Sequence, residues 1–372
     1  MHADGWPIAA WIFAIVAAFV VSAVATRFSI VYAHRRRLID EPGARRSHAE
    51  PTPRGGGIGI VIAALVCACV PVAITTASSA QAALIVAIVL VAAVGWIDDH
   101  RGLSARWRFL AHCAAAATLL APVALALTQI TDAFPGIAPF AWAILAAAVL
   151  ATVWSINLHN FMDGTDGILA VHAIFVFVAL AILCARAGSA THAGEIAVFA
   201  AATAGFLPFN FPRARIFMGD VGSGVLGLLI AVAVLWQMQV RQIALASGLI
   251  LCSAFVVDAS CTLISRMLRG RRWYSAHREH LYQWLARSGG GHVRVVALYV
   301  TWNLLIVAPV VAWINRGSNP PMSNANARLA EWSAPSGAGM AFAVYALGIV
   351  VWCVGKRACL HRAAKRKPHA SA

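Results

Sequence analysis

Charge is scarce in this chain: only 12% of its 372 residues are Asp, Glu, Lys or Arg, against about 25% in an ordinary soluble domain. With 61% hydrophobic residues, a soluble globular fold is excluded, because a chain of this length cannot hide so much apolar surface. No CxxC pair occurs among the eight cysteines (Cys67, Cys69, Cys113, Cys184, Cys252, Cys261, Cys353 and Cys359). This excludes a zinc ribbon and argues against a disulfide framework, so the thiols read as small buried hydrophobes. HExxH is absent as well, which leaves zinc without its usual helix motif. No Lys or Arg precedes Arg27. The basic n-region of a cleavable signal is therefore missing, and although Ala23-Val24-Ala25 imitates a cleavage site, the first apolar run reads as a retained helix. There is no tandem repeat and no separate soluble domain.

Apolar runs long enough to cross a ~30 Å hydrocarbon core at about 1.5 Å per residue recur from end to end. The fold class is all-α, a polytopic integral membrane protein of about eleven transmembrane helices in one membrane-embedded domain. The spans fall at 8-30, 57-76, 81-97, 109-128, 138-156, 167-186, 194-209, 222-239, 242-264, 295-315 and 337-355. Net charge is +15, and basic patches can serve nucleic acid. In a membrane protein, however, Lys and Arg set topology, and no nucleic-acid partner is expected. With the N-terminus outside, segments 31-56, 98-108, 157-166, 210-221, 265-294 and the tail 356-372 face the cytoplasm and hold 24 of the 29 basic residues. The positive-inside rule selects this orientation, with a cytoplasmic C-terminus. Nine of the fourteen carboxylates share that side: Asp40, Glu41, Glu50, Asp98, Asp99, Asp163, Asp166, Asp220 and Glu279. No topology rule requires it, so their gathering asks for a chemical reason. The Asn-, Ser- and Pro-rich segment 316-336 reads as an external loop.

Four constellations lie on the basic side. Asp98-Asp99 in GWIDDHRGL sits where the third span meets the cytoplasm; adjacent carboxylates repel, so the pair is either a solvated cap or shares a cation. Asn157 to Gly167 packs two Asn, two Asp and two Gly into eleven residues, more than a plain turn needs, and its oxygens could meet a sugar, a base or a hydrated cation. In Pro208 to Gly224, glycines flank Asp220, letting backbone approach a ligand ahead of a helix N-terminus that favours anions. The loop Arg266 to Arg294 contains His277-Arg278-Glu279-His280, readable as a metal pair, a diphosphate clamp or topogenic charge. A further segment, Asp40 to Gly57, has anion-binding character of its own. Asp258 lies within the ninth span, where a carboxylate is costly and usually faces a cavity or partner; a place in the active-site cleft is expected.

These residues resemble the polyprenyl-phosphate N-acetylhexosamine-1-phosphate transferases, a glycosyltransferase family that includes the enzymes initiating enterobacterial common antigen and O antigen and the phospho-N-acetylmuramoyl-pentapeptide transferase. The match runs in order through DEPGARRSHAEPTPRGGG, DDHRGL, NLHNFMDGTDG, FNFPRARIFMGDVGSG and HREH, from about residue 40 to 294. The resemblance implies an eleven-helix fold in the bacterial inner membrane, Mg²⁺ dependence with Mn²⁺ as a substitute, a UDP-linked N-acetylhexosamine donor, undecaprenyl phosphate as acceptor and release of UMP. It is compatible with a homodimer among membrane lipid. By the same resemblance Asp98 and Asp99 match the essential acidic pair and Asp220 the magnesium-binding aspartate; these three are the expected catalytic and metal-binding residues. Asn160 and Asp163 match the loop that shapes the nucleotide-sugar site, and His277 and His280 the histidine motif. Asp166, Asn210, Arg278, Arg54 and His48 complete the expected substrate contacts. The loop Ser-Ala-His-Arg-Glu-His-Leu-Tyr departs from the Pro-x-His-His-His run of the muramoyl-pentapeptide enzyme and looks more like the O-antigen-initiating branch. A 6-deoxy amino sugar is the alternative donor.

A secondary transporter for an anionic solute is the rival from another class. It should carry charges near the bilayer midplane and a repeated half, whereas here the acids cluster at one face and no half repeats. A catalytically silent scaffold has no use for both the Asp-Asp pair and Asp220. From the division of basic residues, His277 and Lys365 are predicted to be cytoplasmic and Ser323 external. Cysteine labelling in intact cells checks this: a cysteine at position 323 reacts with an impermeant reagent from outside, and one at position 365 does not.

Overall fold

The computed structural model describes residues 6–41, 50–240, 242–271, 277–316 and 335–365; His48 and Ser323 lie outside them. The described residues are almost entirely helical. In order come α1 (Ile8–Arg36), α2 (Ile58–Thr76), α3 (Ser79–Arg101), α4 (Ala105–Ala133) and α5 (Ala138–Met162). They are followed by α6 (Ile168–Arg186), α7 (Ala190–Asn210), α8 (Asp220–Gln239), α9 (Ala246–Leu251) and α10 (Ser253–Leu268). A short α11 (Leu281–Leu285), α12 (291–314) and α13 (Pro335–Lys365) complete the chain. Among the described residues ten helical segments are long and apolar enough to cross a membrane. The predicted ninth span is present as α9 and α10, which meet at Cys252. Side chains such as Ile8, Phe13, Leu268 and Phe342 are more than three-quarters exposed. An outer surface of this kind is a liability in water and the natural covering in hydrocarbon.

The predicted boundaries are too short in one consistent way. Asp98 to Arg101 belong to α3, Asn157 to Met162 to α5, Asp220 and Val221 to α8, and Lys356 to Lys365 to α13. Hydropathy marks where side chains leave the hydrocarbon, while the backbone ladder continues until a glycine or a cap ends it. Asp98, Asp99, Asn160 and Asp220 therefore sit on helix ends, while Asp163, Asp166 and His277 to His280 lie in the connections. A two-stranded antiparallel ribbon, β1 (Ile39–Asp40) with β2 (Thr52–Pro53), was not foreseen; it pairs Ile39 with Pro53 and Asp40 with Thr52.

Helix α8 is the most buried span and packs against α2, α3, α5, α6 and α7. Its first turns are lined with small residues, and helices in lipid associate through such close packing. A Cβ placed on Gly95 of α3 would lie 2.5 Å from the Val221 nitrogen and 2.6 Å from the Asp220 carbonyl oxygen. The two backbones thus touch one turn below the Asp98-Asp99 pair. We expect Gly95→Val to force α3 and α8 apart at a cost of about 1–3 kcal/mol, seen as a lower thermal transition in detergent. Gly136→Ala, where no atom lies within 4 Å of the new methyl, should leave that transition unchanged.

Candidate active site

Adjacent residues on a helix point about 100° apart, and this separates the two aspartates of α3. Asp99 turns inward and is buried. Its carboxylate oxygens accept hydrogen bonds from the backbone N–H groups of Asp220 (3.1 Å) and Val221 (3.2 Å). It therefore caps the N-terminus of α8 from a neighbouring helix, where free N–H groups and the helix dipole favour an anion. Gly219 makes the approach feasible: its φ is +76°, and a Cβ there would lie 2.5 Å from Asp99 Oδ2. Asp98 points elsewhere, accepting from the Leu103 N–H with one oxygen and lying 3.0 Å from Arg108 Nη1 with the other. The same Arg108 nitrogen is 2.6 Å from Asp220 Oδ2. One guanidinium thus bridges the carboxylates of α3 and α8.

The end of α5 and the loop after it form the next wall. Asn160 donates to Ser223 Oγ at 2.9 Å, tying α5 to α8. Asp163 receives no hydrogen bond from any described residue, and burial, followed by the nearby charges of Asp220, Asp99 and Asp166, pushes its carboxyl up to about 8. Asp166 accepts from the Ala214 N–H and lies 3.1 Å from His292 Nδ1. Asn210 spends its amide on scaffolding, accepting from the Gly167 N–H and donating to the Ile216 carbonyl. The ribbon supplies a third wall, because Phe217 donates to the Pro53 carbonyl and Gly56 and Gly57 donate to the carbonyls of Phe217 and Met218. This pairing lays Arg54 beside the glycine turn before Asp220, and its charge is felt at Asp99.

The histidine loop is organised by Asp258. Its carboxylate accepts from the backbone N–H groups of Leu281 and Tyr282, from the Tyr299 hydroxyl, from Trp352 Nε1 and from Thr262 Oγ1. The carboxylate expected in the cleft is instead the cap of α11: a polar group this deep needs its oxygens satisfied by hydrogen-bond donors. His280, immediately before α11, is buried, with its ring 4.9 Å from that of His277 and 5.8 Å from that of Tyr282. Burial, then neighbouring His280 and Arg266, lowers His277 to about 4; burial also lowers His280 although Asp258 opposes it. Both imidazoles are therefore neutral near pH 7. Neither lines the cleft; Arg278, Gln283 and Arg287 from the same loop do. Tyr282 reaches under the wall, donating to the Phe161 carbonyl at 3.0 Å.

These walls enclose a cleft of about 260 Å³. Asp40, Asp99, Asp163, Asp166 and Asp220 line it with Asn160, Asn210 and Ser223, and three guanidinium groups reach it, Arg54 from beside the ribbon and Arg278 and Arg287 from the histidine loop. Asp98 does not line it and acts through Arg108. An acidic floor beneath basic walls suits a ligand that carries both phosphates and a cation. Among the described residues no three His, Cys, Asp or Glu side chains form a ready coordination shell. The donors that face the cleft are hard carboxylate oxygens, with Asp163, which takes no hydrogen bond from a described residue, among four other acids; such a set fits Mg²⁺, which keeps waters and takes few protein ligands.

Sequence reading missed Arg108, Ser223, Gln283 and Arg287. Arg108 left one signal: it stands in the first turn of α4, where the helix dipole disfavours a cation, so a nearby acid had to hold it there. We expect Arg108→Gln to weaken the joint between α3 and α8. In thermal unfolding, a double-mutant cycle with Asp98→Asn should show a coupling of about 1 kcal/mol. Additive single effects would remove the bridge from the account.

Fold and site together define a polytopic membrane protein whose acidic, arginine-walled cleft lies at one end of its helix bundle. The family model described as glycosyl transferase family 4 matches residues 81–238. The chain is 32% identical over 318 residues to the decaprenyl-phosphate N-acetylglucosaminephosphotransferase of Mycolicibacterium smegmatis, covering 77% of each chain. It is 25% identical over 311 residues to a probable undecaprenyl-phosphate N-acetylglucosaminyl 1-phosphate transferase of Bacillus subtilis, covering 82% of this chain and 84% of the other. A phospho-N-acetylmuramoyl-pentapeptide-transferase of Halalkalibacterium halodurans is 27% identical over 314 residues, 78% of this chain and 93% of that one. The chain belongs to the polyprenyl-phosphate N-acetylhexosamine-1-phosphate transferase family.

Proposed function

We propose that this protein transfers N-acetylglucosamine 1-phosphate, or a close N-acetylhexosamine analogue, from its UDP-sugar to a polyprenyl phosphate at the cytoplasmic face of a bacterial inner membrane. The observation that carries the reading is the cleft in which Asp163 and Asp220 lie among Arg54, Arg278 and Arg287. In this reaction a phosphate oxygen of the lipid attacks the β-phosphorus of the UDP-sugar. The bond from that phosphorus to the bridging oxygen breaks, and UMP leaves with the electron pair. Two anions must meet, so the site has to offset their repulsion before it can accelerate anything.

The three guanidinium groups set positive charge around the diphosphate, and a planar fork matches phosphate oxygens; Arg287 already donates Nε and Nη2 to the carbonyls of Gln283 and Arg278, so it contributes charge more than a fork. Asp163 and Asp220 would hold Mg²⁺, with Mn²⁺ as a substitute, and the ion would supply charge neutralisation at the diphosphate. Asp99 positions the first turn of α8, and Asp98 positions Asp220 through Arg108. Asn160 and Ser223 are placed to orient the donor beside that turn. His277 and His280, neutral and outside the cleft lining, act by holding the backbone that carries Arg278 and Gln283.

Initiation of O-antigen synthesis is the finer reading, supported only by the sequence of the histidine loop. Two of the relatives are named for N-acetylglucosamine and one for an N-acetylmuramoyl-pentapeptide; the N-acetylglucosamine reading follows the more identical of them, and its product would open synthesis of a cell-envelope polysaccharide. Purified protein supplied with UDP-N-acetylglucosamine, undecaprenyl phosphate and Mg²⁺ should yield lipid-linked amino sugar and UMP in equal amounts. Asp220→Asn should lower turnover by about a hundredfold or more, and excess EDTA should stop it. Near-normal turnover by this variant, or in EDTA, would displace Asp220 and the metal from the reaction.

A further inference from the structure

A second cavity of about 530 Å³ lies between the start of α12, the turn before it and the far end of α13. Its walls are apolar along Leu285, Val295 and Leu298, and Arg294 and Arg362 line it from different helices. Neither guanidinium has a hydrogen bond or ion pair with any described residue. Arg362 lies in the last turn of α13, where the helix dipole welcomes a cation. Arg294 stands in the first turn of α12, where the dipole opposes one. An apolar groove that ends in two unpaired cations, on a surface otherwise suited to lipid, has the form of a seat for an acyl chain below an anionic headgroup.

The groove and the active-site cleft share no residue but are divided by one turn. Ala286 and Arg287 line the cleft, and Ser288, Gly289 and Gly290 line the groove. Gly289 and Gly291 have φ of +97° and +64°, so the turn is sharp and its two faces are fixed to each other. An acceptor lipid would have to bring its phosphate to the carboxylates on the other side of that turn, so the occupant favoured here does not react.

We propose that the groove binds an anionic membrane phospholipid, with its phosphate on Arg294 and Arg362, and that occupancy fixes the turn that presents Arg287 to the cleft. The binding stands on the groove alone; the coupling to catalysis rests on the reading of the cleft given above. Native mass spectrometry of the full chain in detergent, titrated with phosphatidylglycerol, phosphatidylcholine or polyprenyl phosphate, tests the binding. Phosphatidylglycerol should bind in preference to phosphatidylcholine, and Arg294→Gln with Arg362→Gln should weaken it on the order of tenfold or more, since two charge-assisted contacts are lost. Leu298→Trp, which fills the groove and keeps both arginines, should weaken it as well, while Arg357→Gln, on the same helix outside the groove, should not. Unchanged phosphatidylglycerol binding in the double variant and in Leu298→Trp, or its displacement by lower concentrations of polyprenyl phosphate, overturns the assignment. In nanodiscs, phosphatidylglycerol should lower KM for UDP-N-acetylglucosamine in the unmodified protein but not in the double variant. Equal KM values in the two lipids would overturn the coupling and leave the binding result standing.

Discussion

Like charges collected in a medium of low dielectric are the constraint on which this structure turns. Asp98, Asp99, Asp163, Asp166 and Asp220 converge at one end of a hydrophobic bundle, where an isolated carboxylate would protonate rather than stay charged. Each is handled differently. Asp99 is neutralised by the N-terminus of α8, Asp98 and Asp220 share Arg108, and Asp166 has a backbone N–H and His292. Asp163 faces the cleft without a hydrogen-bond donor among the described residues, and burial and its acidic neighbours push its carboxyl up. A cationic or phosphate-bearing ligand is what this arrangement is prepared to receive.

The rest of the fold serves that arrangement. Close approach of α3 to α8 at Gly95 brings Asp99 within reach of the free amides of α8. The ribbon and its pairing with Phe217 and Met218 hold Arg54 beside the same turn. The device is used twice: Asp258 caps α11 from within the bundle much as Asp99 caps α8. Both are buried carboxylates that pin a helix start, and both helix starts bear residues that face the cleft. The costly carboxylate of Asp258 thereby becomes a positioning element for Gln283 and Arg287, two residues further from any recognisable motif.

Much of this was legible in the sequence. Apolar run lengths gave the number of spans because hydrocarbon thickness sets them, and the density of Asp, Asn and Gly at one face located the cleft. What failed was the fate of individual side chains. Asp98 and Asp99 are neighbours with the same chemistry, yet one lines the cleft and the other supports it through Arg108. His277 and His280 look like ligands by residue type, but neither lines the cleft: His280 is buried behind the wall and His277 is half-buried beside it. Asn210, read as a substrate contact, lines the cleft while both ends of its amide are committed to backbone.

The sequence by itself determined the membrane-spanning class, the family and the group of residues from which the site is built, since those follow from composition, run length and ordered motifs. Only the tertiary structure decided which of them face the cleft. That choice depends on helix rotation and on which backbone amides lie within hydrogen-bond reach, and residues as distant as Asp99 and Asp220, or Asp258 and Leu281, acquire their roles only when packing brings a carboxylate to an uncapped helix end.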